Sequence, residues 1–136
     1  MLFRRAADLD RQRYVPAHPN PRAPQGLQGE GGLTGTWLFN EEPASPEGLL
    51  TSGIEVVMDS TLDPGASIGL HLHDRTEEFY YVIDGDLTVT VVSAEGNAEV
   101  EILGAGDVHF LPVGLSHSAQ AGESGARIFV VAATPH

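Results

Sequence analysis

Short runs of β-favouring residues, separated by turns that contain glycine or proline, fill the chain from residue 34 onward. Two of these runs, 87–91 and 99–102, alternate regularly between apolar and polar residues. Alternate side chains of a strand point to opposite faces, so each run would have one dry and one wet face, as in an antiparallel sheet with one solvated side. The predicted strands are 36–40, 54–59, 67–73, 78–83, 87–92, 99–103, 108–111, 117–120 and 127–132.

The number and spacing of these strands predict an all-β fold, either a sandwich or a barrel. No convincing helical pattern interrupts them, which argues against a parallel sheet built from β-α-β units. The run 78–83 is apolar on both faces apart from Glu78. We therefore expect this strand to be covered on its outer side or to lie at a dimer interface.

The first 32 residues differ from the rest of the chain. Residues 1–15 are compatible with one short helix, and four prolines between 16 and 24 then forbid regular structure. The segment has too few apolar residues to close a core of its own. We therefore predict an N-terminal arm, 1–32, followed by one domain, 33–136, which is long enough to bury a real core.

Composition excludes several kinds of chemistry. The 136 residues include no cysteine, which excludes disulfides and thiolate metal sites, and no lysine, which excludes a Schiff-base mechanism. The net charge of −12 argues against nucleic acid or an anionic membrane surface as a partner. Five of the seven arginines lie in 1–22, so an acidic domain follows a basic lead-in. No apolar run approaches the length of a membrane span and no secretory signal is evident, so we expect a cytoplasmic protein.

Three histidines and one glutamate form a candidate metal site. His71 and His73 stand two residues apart in a predicted strand, so their rings would share a face. Glu78 follows in the next strand, and His117 follows a Pro-x-Gly turn. Three imidazoles and one carboxylate suit Fe, Mn, Zn, Ni, Co or Cu, and the set is too rich in nitrogen for Ca or Mg. Four protein ligands leave coordination positions open, which is typical of catalytic metals.

The histidine pair also has a simpler explanation. Leu70 and Leu72 alternate with His71 and His73, so one pair faces the interior and the other faces outward. Leucines inside and histidines outside would be the ordinary arrangement of a surface strand. Buried histidines without partners would be costly. Periodicity alone does not decide between the two arrangements.

Two segments of the chain resemble the two cupin motifs, G-(x)5-H-x-H-(x)3,4-E-(x)6-G and G-(x)5-P-x-G-(x)2-H-(x)3-N. The first motif is matched by Gly65, His71, His73, Glu78 and Gly85. Glu78 is the match rather than Glu77 because only Glu78 stands at the required distance before Gly85. The second motif is matched by Gly106, Pro112, Gly114 and His117, and Ala121 stands in place of its final asparagine.

The resemblance covers roughly residues 50–133 and implies a cupin-type antiparallel β-barrel, a jelly roll, with a metal bound inside. The metal ligands that it implies are His71, His73, Glu78 and His117. The missing asparagine is not a metal ligand in the family, so its absence leaves the site intact. The resemblance also implies a homodimer, in which the N-terminal strand can add to the partner's sheet.

Strand alternation places Tyr80 on the same face as Glu78. Cupins usually carry an inward aliphatic residue at the position of His109, so this histidine could be a fourth imidazole on the metal, a partner of a ligand, or a general acid or base. The alternative is a histidine on the outer face. We take His109 and Tyr80 as candidate catalytic residues, and we expect His18 and His136 to be incidental.

The resemblance implies two classes of function. The first is a metal-dependent enzyme, in which the metal acts as a Lewis acid or an O2 site on a small oxygen-chelating substrate. A secondary-metabolite cyclase of the polyketide type or a dioxygenase is the leading expectation. The second is a non-catalytic cupin that binds a metal or a small molecule as a sensor or carrier. Metal identity and cavity size would discriminate between these functions. Iron in an open apolar cavity would favour oxygenation, a redox-silent metal would favour cyclisation or isomerisation, and an occluded barrel would exclude both enzymes.

Overall fold

The computed structural model describes residues 2–135, and its regular structure is almost entirely β-strand. The strands are β1 (Asp10–Tyr14), β2 (Leu33–Asn40), β3 (Ile54–Leu62), β4 (Ser67–Leu72), β5 (Glu77–Val92), β6 (Ala98–Gly104), β7 (Val108–Leu111) and β8 (Ser116–Ala133). One 3₁₀ turn, Ala6–Asp8, is the only helical element in this range. The predicted all-β, antiparallel fold is confirmed.

β5 and β8 are the two long strands around which the sheet is arranged. The hydrogen-bonded order is β1-β2-β3-β8-β5-β6, with β4 paired to β8 and β7 paired to β5, and every pairing is antiparallel. β8 therefore contacts β3, β4 and β5, and it carries one side of the interior along its whole length. The predicted strands 78–83 and 87–92 are one continuous strand, and so are 117–120 and 127–132.

Bulges replace the turn that we expected between 83 and 87. The β5–β8 register shifts on both sides of Gly85, whose φ is +78°. A Cβ on Gly85 would lie 2.1 Å from the carbonyl oxygen of Gly125, so only glycine fits this close approach. A bulge bends a strand without ending its pairing. Gly85 therefore lies at a bend within one continuous strand and not at the turn that the sequence predicts.

The core lies on the inner faces of the long strands. Tyr80, Val82, Leu87 and Val89 of β5 are buried, as the alternating pattern predicts. The pattern at 99–102 is misleading, because Val100 and Ile102 are 57% and 70% exposed. Their strand, β6, pairs only with β5 among the described strands. Within residues 2–135 no second layer covers β6, so the alternating pattern there does not give a buried face.

The outer face of β5 and β7 is apolar and open within the described chain. Phe79 lies opposite Phe110, and Tyr81 lies opposite Val108, in the β5–β7 register. All four side chains are exposed. No element of residues 2–135 provides the outer cover that we expected for this strand, and the homodimer stays a prediction.

The N-terminal segment does not form the predicted helix. Residues 10–14 form β1, which pairs with β2 from Asp10↔Trp37 to Tyr14↔Leu33. An isolated helix of this length is marginal in water. Pairing with the edge of an existing sheet supplies partners for the backbone, which explains the strand. The division into an arm, 1–32, and a domain, 33–136, stays a prediction.

The irregular residues after β1 lie along β4. The N–H of Gly69 donates to the carbonyl of Ala17 at 3.0 Å, and the N–H of Leu70 donates to the carbonyl of Leu27 at 2.8 Å. Ala17 is buried in the main core cluster. The arm thus covers the edge of β4 that faces away from β8. No helix in residues 2–135 meets the length and apolarity needed to cross a membrane.

We predict that Gly69→Ala detaches the arm and destabilises the fold. A Cβ at this position would lie 2.0 Å from the carbonyl oxygen of His18 and 2.8 Å from that of Gln28. Both are backbone atoms, so relieving the clash would require the arm to move. The expected loss is about 1–3 kcal/mol in the free energy of unfolding, measured by urea denaturation. Limited proteolysis should show earlier cleavage within residues 16–30.

Gly104→Ala is the matched control for this experiment. A Cβ at Gly104 meets no atom within 4 Å, and its φ lies outside the left-handed region. We expect this variant to unfold close to the wild-type midpoint. Equal stability of the two variants would contradict the close packing of the arm against Gly69 of β4.

Candidate metal centre

Four side chains from three neighbouring strand segments converge inside the barrel. One ligand atom from each of His71, His73, Glu78 and His117 lies within 4.8 Å of all the others. His71 on β4 is directly opposite His117 on β8 in the strand register. His73 follows the end of β4, and Glu78 is the second residue of β5. The structure therefore brings together all four residues that were predicted as metal ligands.

The histidine pair faces inward and the leucines face outward. His71 and His73 are partly buried, whereas Leu72 is 59% exposed. The arrangement of an ordinary surface strand, which periodicity left open, is therefore not the one that this chain adopts. The outward position of Leu72 follows from the same alternation that turns the two rings toward β5 and β8.

Each imidazole uses its Nδ1 to contact the protein. The Nδ1 of His71 donates to the carbonyl of Gly69 at 2.8 Å, and the Nδ1 of His73 lies 3.1 Å from the hydroxyl of Thr76. The Nδ1 of His117 lies 2.9 Å from the Nε2 of His109. Contacts of this kind orient a ligating ring and fix its tautomer. All three Nε2 atoms are left to face the common centre.

The electrostatics of the cluster favour a bound cation. Burial lowers the pKa of His71 to about 3, so this ring is neutral at physiological pH. Burial alone would raise the pKa of Glu78, but the adjacent rings of His117 and His73 outweigh it and hold that pKa well below its usual range. The centre therefore presents the neutral ring of His71 and the ionised carboxylate of Glu78.

Two buried atoms of the cluster lack a hydrogen-bond partner within the described chain. They are the Nε2 of His73 and the Oε1 of Glu78. The two atoms lie 3.4 Å apart, and the Nε2 of His117 lies 3.0 Å from the same carboxylate oxygen. A buried polar atom left unpaired costs about 1–3 kcal/mol. Coordination to one divalent ion would satisfy both atoms, and three nitrogens with one oxygen suit Mn, Fe, Co, Ni, Cu or Zn.

The cluster opens into a cavity of about 480 Å³. His71, His73, Glu78 and Tyr80 line one wall. The deeper walls are apolar and consist mainly of Leu33, Trp37, Met58, Ile68, Ile128 and Val130. Exposed residues at the outer end include His18, Glu42 and Arg75. The barrel interior is therefore accessible to a small molecule and is not filled by side chains.

His109 and Tyr80 both face the interior, but they occupy different positions. Tyr80 lines the cavity, and its hydroxyl lies 3.4 Å from the Nε2 of His117. Burial raises the pKa of Tyr80, so the phenol stays protonated. His109 lies behind His117 and is not among the residues that line the cavity. Burial lowers the pKa of His109 to about 4, which keeps this ring neutral. The predicted catalytic roles of both residues stay predictions.

His18 is a site residue that the sequence did not reveal. Its ring stacks on the ring of His71, with centroids 3.8 Å apart and planes 8° from parallel. It lines the outer end of the cavity. We expected His18 to be incidental because no spacing rule links residue 18 to β4. The other histidine expected to be incidental, His136, lies outside the described residues.

An antiparallel β-barrel with three histidines and one glutamate converging inside it defines a class of metal-binding barrel proteins. The chain belongs to the cupin family, because the family model described as Cupin matches residues 22–136. The match includes residues 22–32 of the arm, which the motif resemblance did not reach. The fold is accordingly the predicted cupin-type jelly roll.

Known proteins similar to this chain include oxalate decarboxylases. The chain is 41% identical over 70 residues to oxalate decarboxylase OxdC of Bacillus subtilis (strain 168), which is 52% of this chain and 18% of the relative. A solved structure of that enzyme, concerned with its Mn(II) centres, is 26% identical, with a TM-score of 0.62, over 95% of this chain and 28% of the other.

Another similar protein is a predicted oxalate decarboxylase from Thermotoga maritima. Its crystal structure has a TM-score of 0.71 and covers 96% of this chain and 97% of the other. At 22% identity, this similarity shows the fold alone. The chain spans between 15% and 36% of the length of the curated relatives that it matches.

We predict that the protein binds one divalent transition metal and that His73→Ala abolishes this binding. The variant removes one of four ligand atoms and leaves Glu78 with fewer partners. Metal content after reconstitution with Mn(II) and desalting, measured by inductively coupled plasma mass spectrometry, should fall from one ion per chain to little or none.

His18→Ala is the control, because its ring touches His71 but does not belong to the four-residue cluster. This variant should keep the wild-type metal content. Retention of metal by His73→Ala, or its loss in His18→Ala, would contradict the ligand assignment.

Proposed function

We propose that the protein is a metal-dependent enzyme that acts on a small molecule with chelating oxygens and an apolar body. The observation that supports this proposal best is that three members of the four-residue cluster, His71, His73 and Glu78, line a mainly apolar cavity of about 480 Å³. A pocket with apolar walls and a few convergent polar groups is typical of a small-molecule site. The polar end would bind chelating oxygens, and the apolar end would bind a hydrocarbon portion.

The charges around the cavity favour a substrate with little negative charge. Arg75 is the only lysine or arginine that lines it, and both of its terminal nitrogens bind the carboxylate of Glu55. Glu42 also lines the outer end. A small dianion such as oxalate would meet these carboxylates, and apart from a bound metal it would find no unpaired lysine or arginine side chain among the described residues that line the cavity. We therefore do not propose for this cavity the oxalate decarboxylation that the names of the relatives state.

The chemistry that we propose is cyclisation, isomerisation or oxygenation of an enol, diol or dicarbonyl compound. When bound, a divalent metal supplies Lewis acidity, and a redox-active one also supplies O2 chemistry. Tyr80 lines the cavity as a neutral phenol and can donate a hydrogen bond to a developing oxyanion of the substrate. The apolar walls exclude water, which strengthens that hydrogen bond.

We predict that the metal-loaded protein binds a phenyl-substituted β-diketone at least about tenfold more tightly than it binds oxalate, a difference of about 1.4 kcal/mol. Trp37 is the single tryptophan and lines the cavity, so quenching of its fluorescence reports binding directly. Metal-free protein is the control and should lose most of the affinity. Tighter binding of oxalate, or its decarboxylation, would contradict the proposed substrate class.

We predict that Tyr80→Phe lowers kcat by about 100-fold with little change in metal content, because it removes one donor to an oxyanion. Turnover is measured on a panel of β-dicarbonyl and catechol compounds by mass spectrometry, in air and without O2. Product formed without O2 would indicate a cyclase or isomerase, and O2 incorporation would indicate a dioxygenase. Tight binding without turnover across the panel would favour the alternative function, a non-catalytic carrier or sensor.

A further inference from the structure

His109 and His117 form a buried pair of imidazoles next to the metal site. His109 on β7 lies opposite Tyr80 on β5, and this register turns its ring toward β8. Its Nε2 is 2.9 Å from the Nδ1 of His117. The two residues are 8% and 0% exposed, so water cannot readily replace either partner.

A neutral imidazole carries one N–H, and this restricts how the pair can bond. If the proton of His117 is on Nδ1, it donates to His109, and the Nε2 of His117 keeps its lone pair for a metal. If His109 donates instead, the proton of His117 is on Nε2, which then points at Glu78 and cannot ligate. One hydrogen bond therefore decides whether His117 can act as a ligand.

The other two rings are oriented differently. The Nδ1 of His71 faces a backbone carbonyl, which only accepts and therefore fixes the tautomer that ligates through Nε2. The Nδ1 of His73 faces the hydroxyl of Thr76, outside the fully buried interior. Of the three rings, only that of His117 has its Nδ1 in contact with another titratable side chain. The ring of His117 is also the most deeply buried.

We propose that His109 is a positioning residue that accepts the Nδ1 proton of His117 and thereby holds the Nε2 of His117 ready to bind the metal. The inference depends on metal binding by the four-residue cluster, but not on the proposed substrate or reaction. In this proposal His109 does not coordinate the metal and does not contact the substrate. An aliphatic side chain at position 109 would leave the Nδ1–H of His117 buried without an acceptor.

His109→Leu and His109→Gln test this role. Leucine keeps much of the volume but has no acceptor, and glutamine restores an acceptor oxygen. The dissociation constant for Mn(II) is measured by competition with a chromophoric chelator. We expect His109→Leu to weaken binding by about 10–100-fold, which is typical of the loss of such a partner. His109→Gln should recover most of this loss.

The Mn(II) electron paramagnetic resonance spectrum gives a second readout. His109→Leu should change the zero-field splitting, because the ring of His117 is no longer held in place, and His109→Gln should stay closer to wild type. Ser118→Ala is the matched control. It removes a buried hydrogen bond, 2.6 Å to the carbonyl of Ile68, beside His117 on the same strand, but it touches neither ring. Its affinity for Mn(II) should remain near the wild-type value.

Three outcomes would overturn the proposal. The first is unchanged Mn(II) affinity in His109→Leu. The second is a loss in that variant that glutamine does not recover. The third needs no variant: long-range ¹⁵N NMR of the Zn(II)-loaded wild-type protein would show His109 itself on the metal, or His117 bound through Nδ1. If instead these tests succeed and no substrate turns over, the positioning role stands and the enzymatic proposal fails.

Discussion

A buried, ionised carboxylate is the constraint on which the rest of the site depends. Glu78 has a side chain that is only 10% exposed, yet its neighbours keep it charged. A buried charge must be paired or must coordinate a metal. The Nδ1 atoms of the three imidazoles around it already contact other groups of the protein. The geometry thus leaves a cation as the partner that balances the carboxylate and satisfies the Nε2 atoms together.

Strand pairing fixes the positions of these side chains relative to one another, so their convergence is reflected in the residue spacing along the chain. His71 and His117 are cross-strand partners on β4 and β8, and β8 also pairs with β5, which carries Glu78. Ligands on paired strands are held by the same backbone hydrogen bonds that hold the sheet. The residue spacings that identify the metal site are therefore spacings of strand register. Alternation predicts the strands, whereas the spacing of the two motifs was needed to single out the four ligands.

Features that depend on contacts distant in sequence were not predictable in the same way. Glycine at 85 favours a turn locally, whereas its contact with Gly125 on another strand makes it a bulge in a continuous β5. Val100 and Ile102 alternate like core residues, but no element of the described chain covers them. The sequence left open whether His109 faces inward or outward, and its contact with His117 required the position of β7 relative to β8.

The position of the arm was likewise not predictable from the sequence, and it affects the surroundings of the metal site. Its proline-rich segment has no periodicity to interpret, and hydrogen bonds to the exposed edge of β4 place His18 against a metal ligand. Three of the four cluster residues lie on strands and His73 directly follows β4, whereas His18 and Glu42, at the outer end of the cavity, come from irregular segments. Strand register therefore sets the geometry of the cluster, and the irregular segments contribute to the charge at the outer end of the cavity. In this chain that charge is acidic, because Glu42 and Glu55 line the cavity and Arg75 is already paired to Glu55.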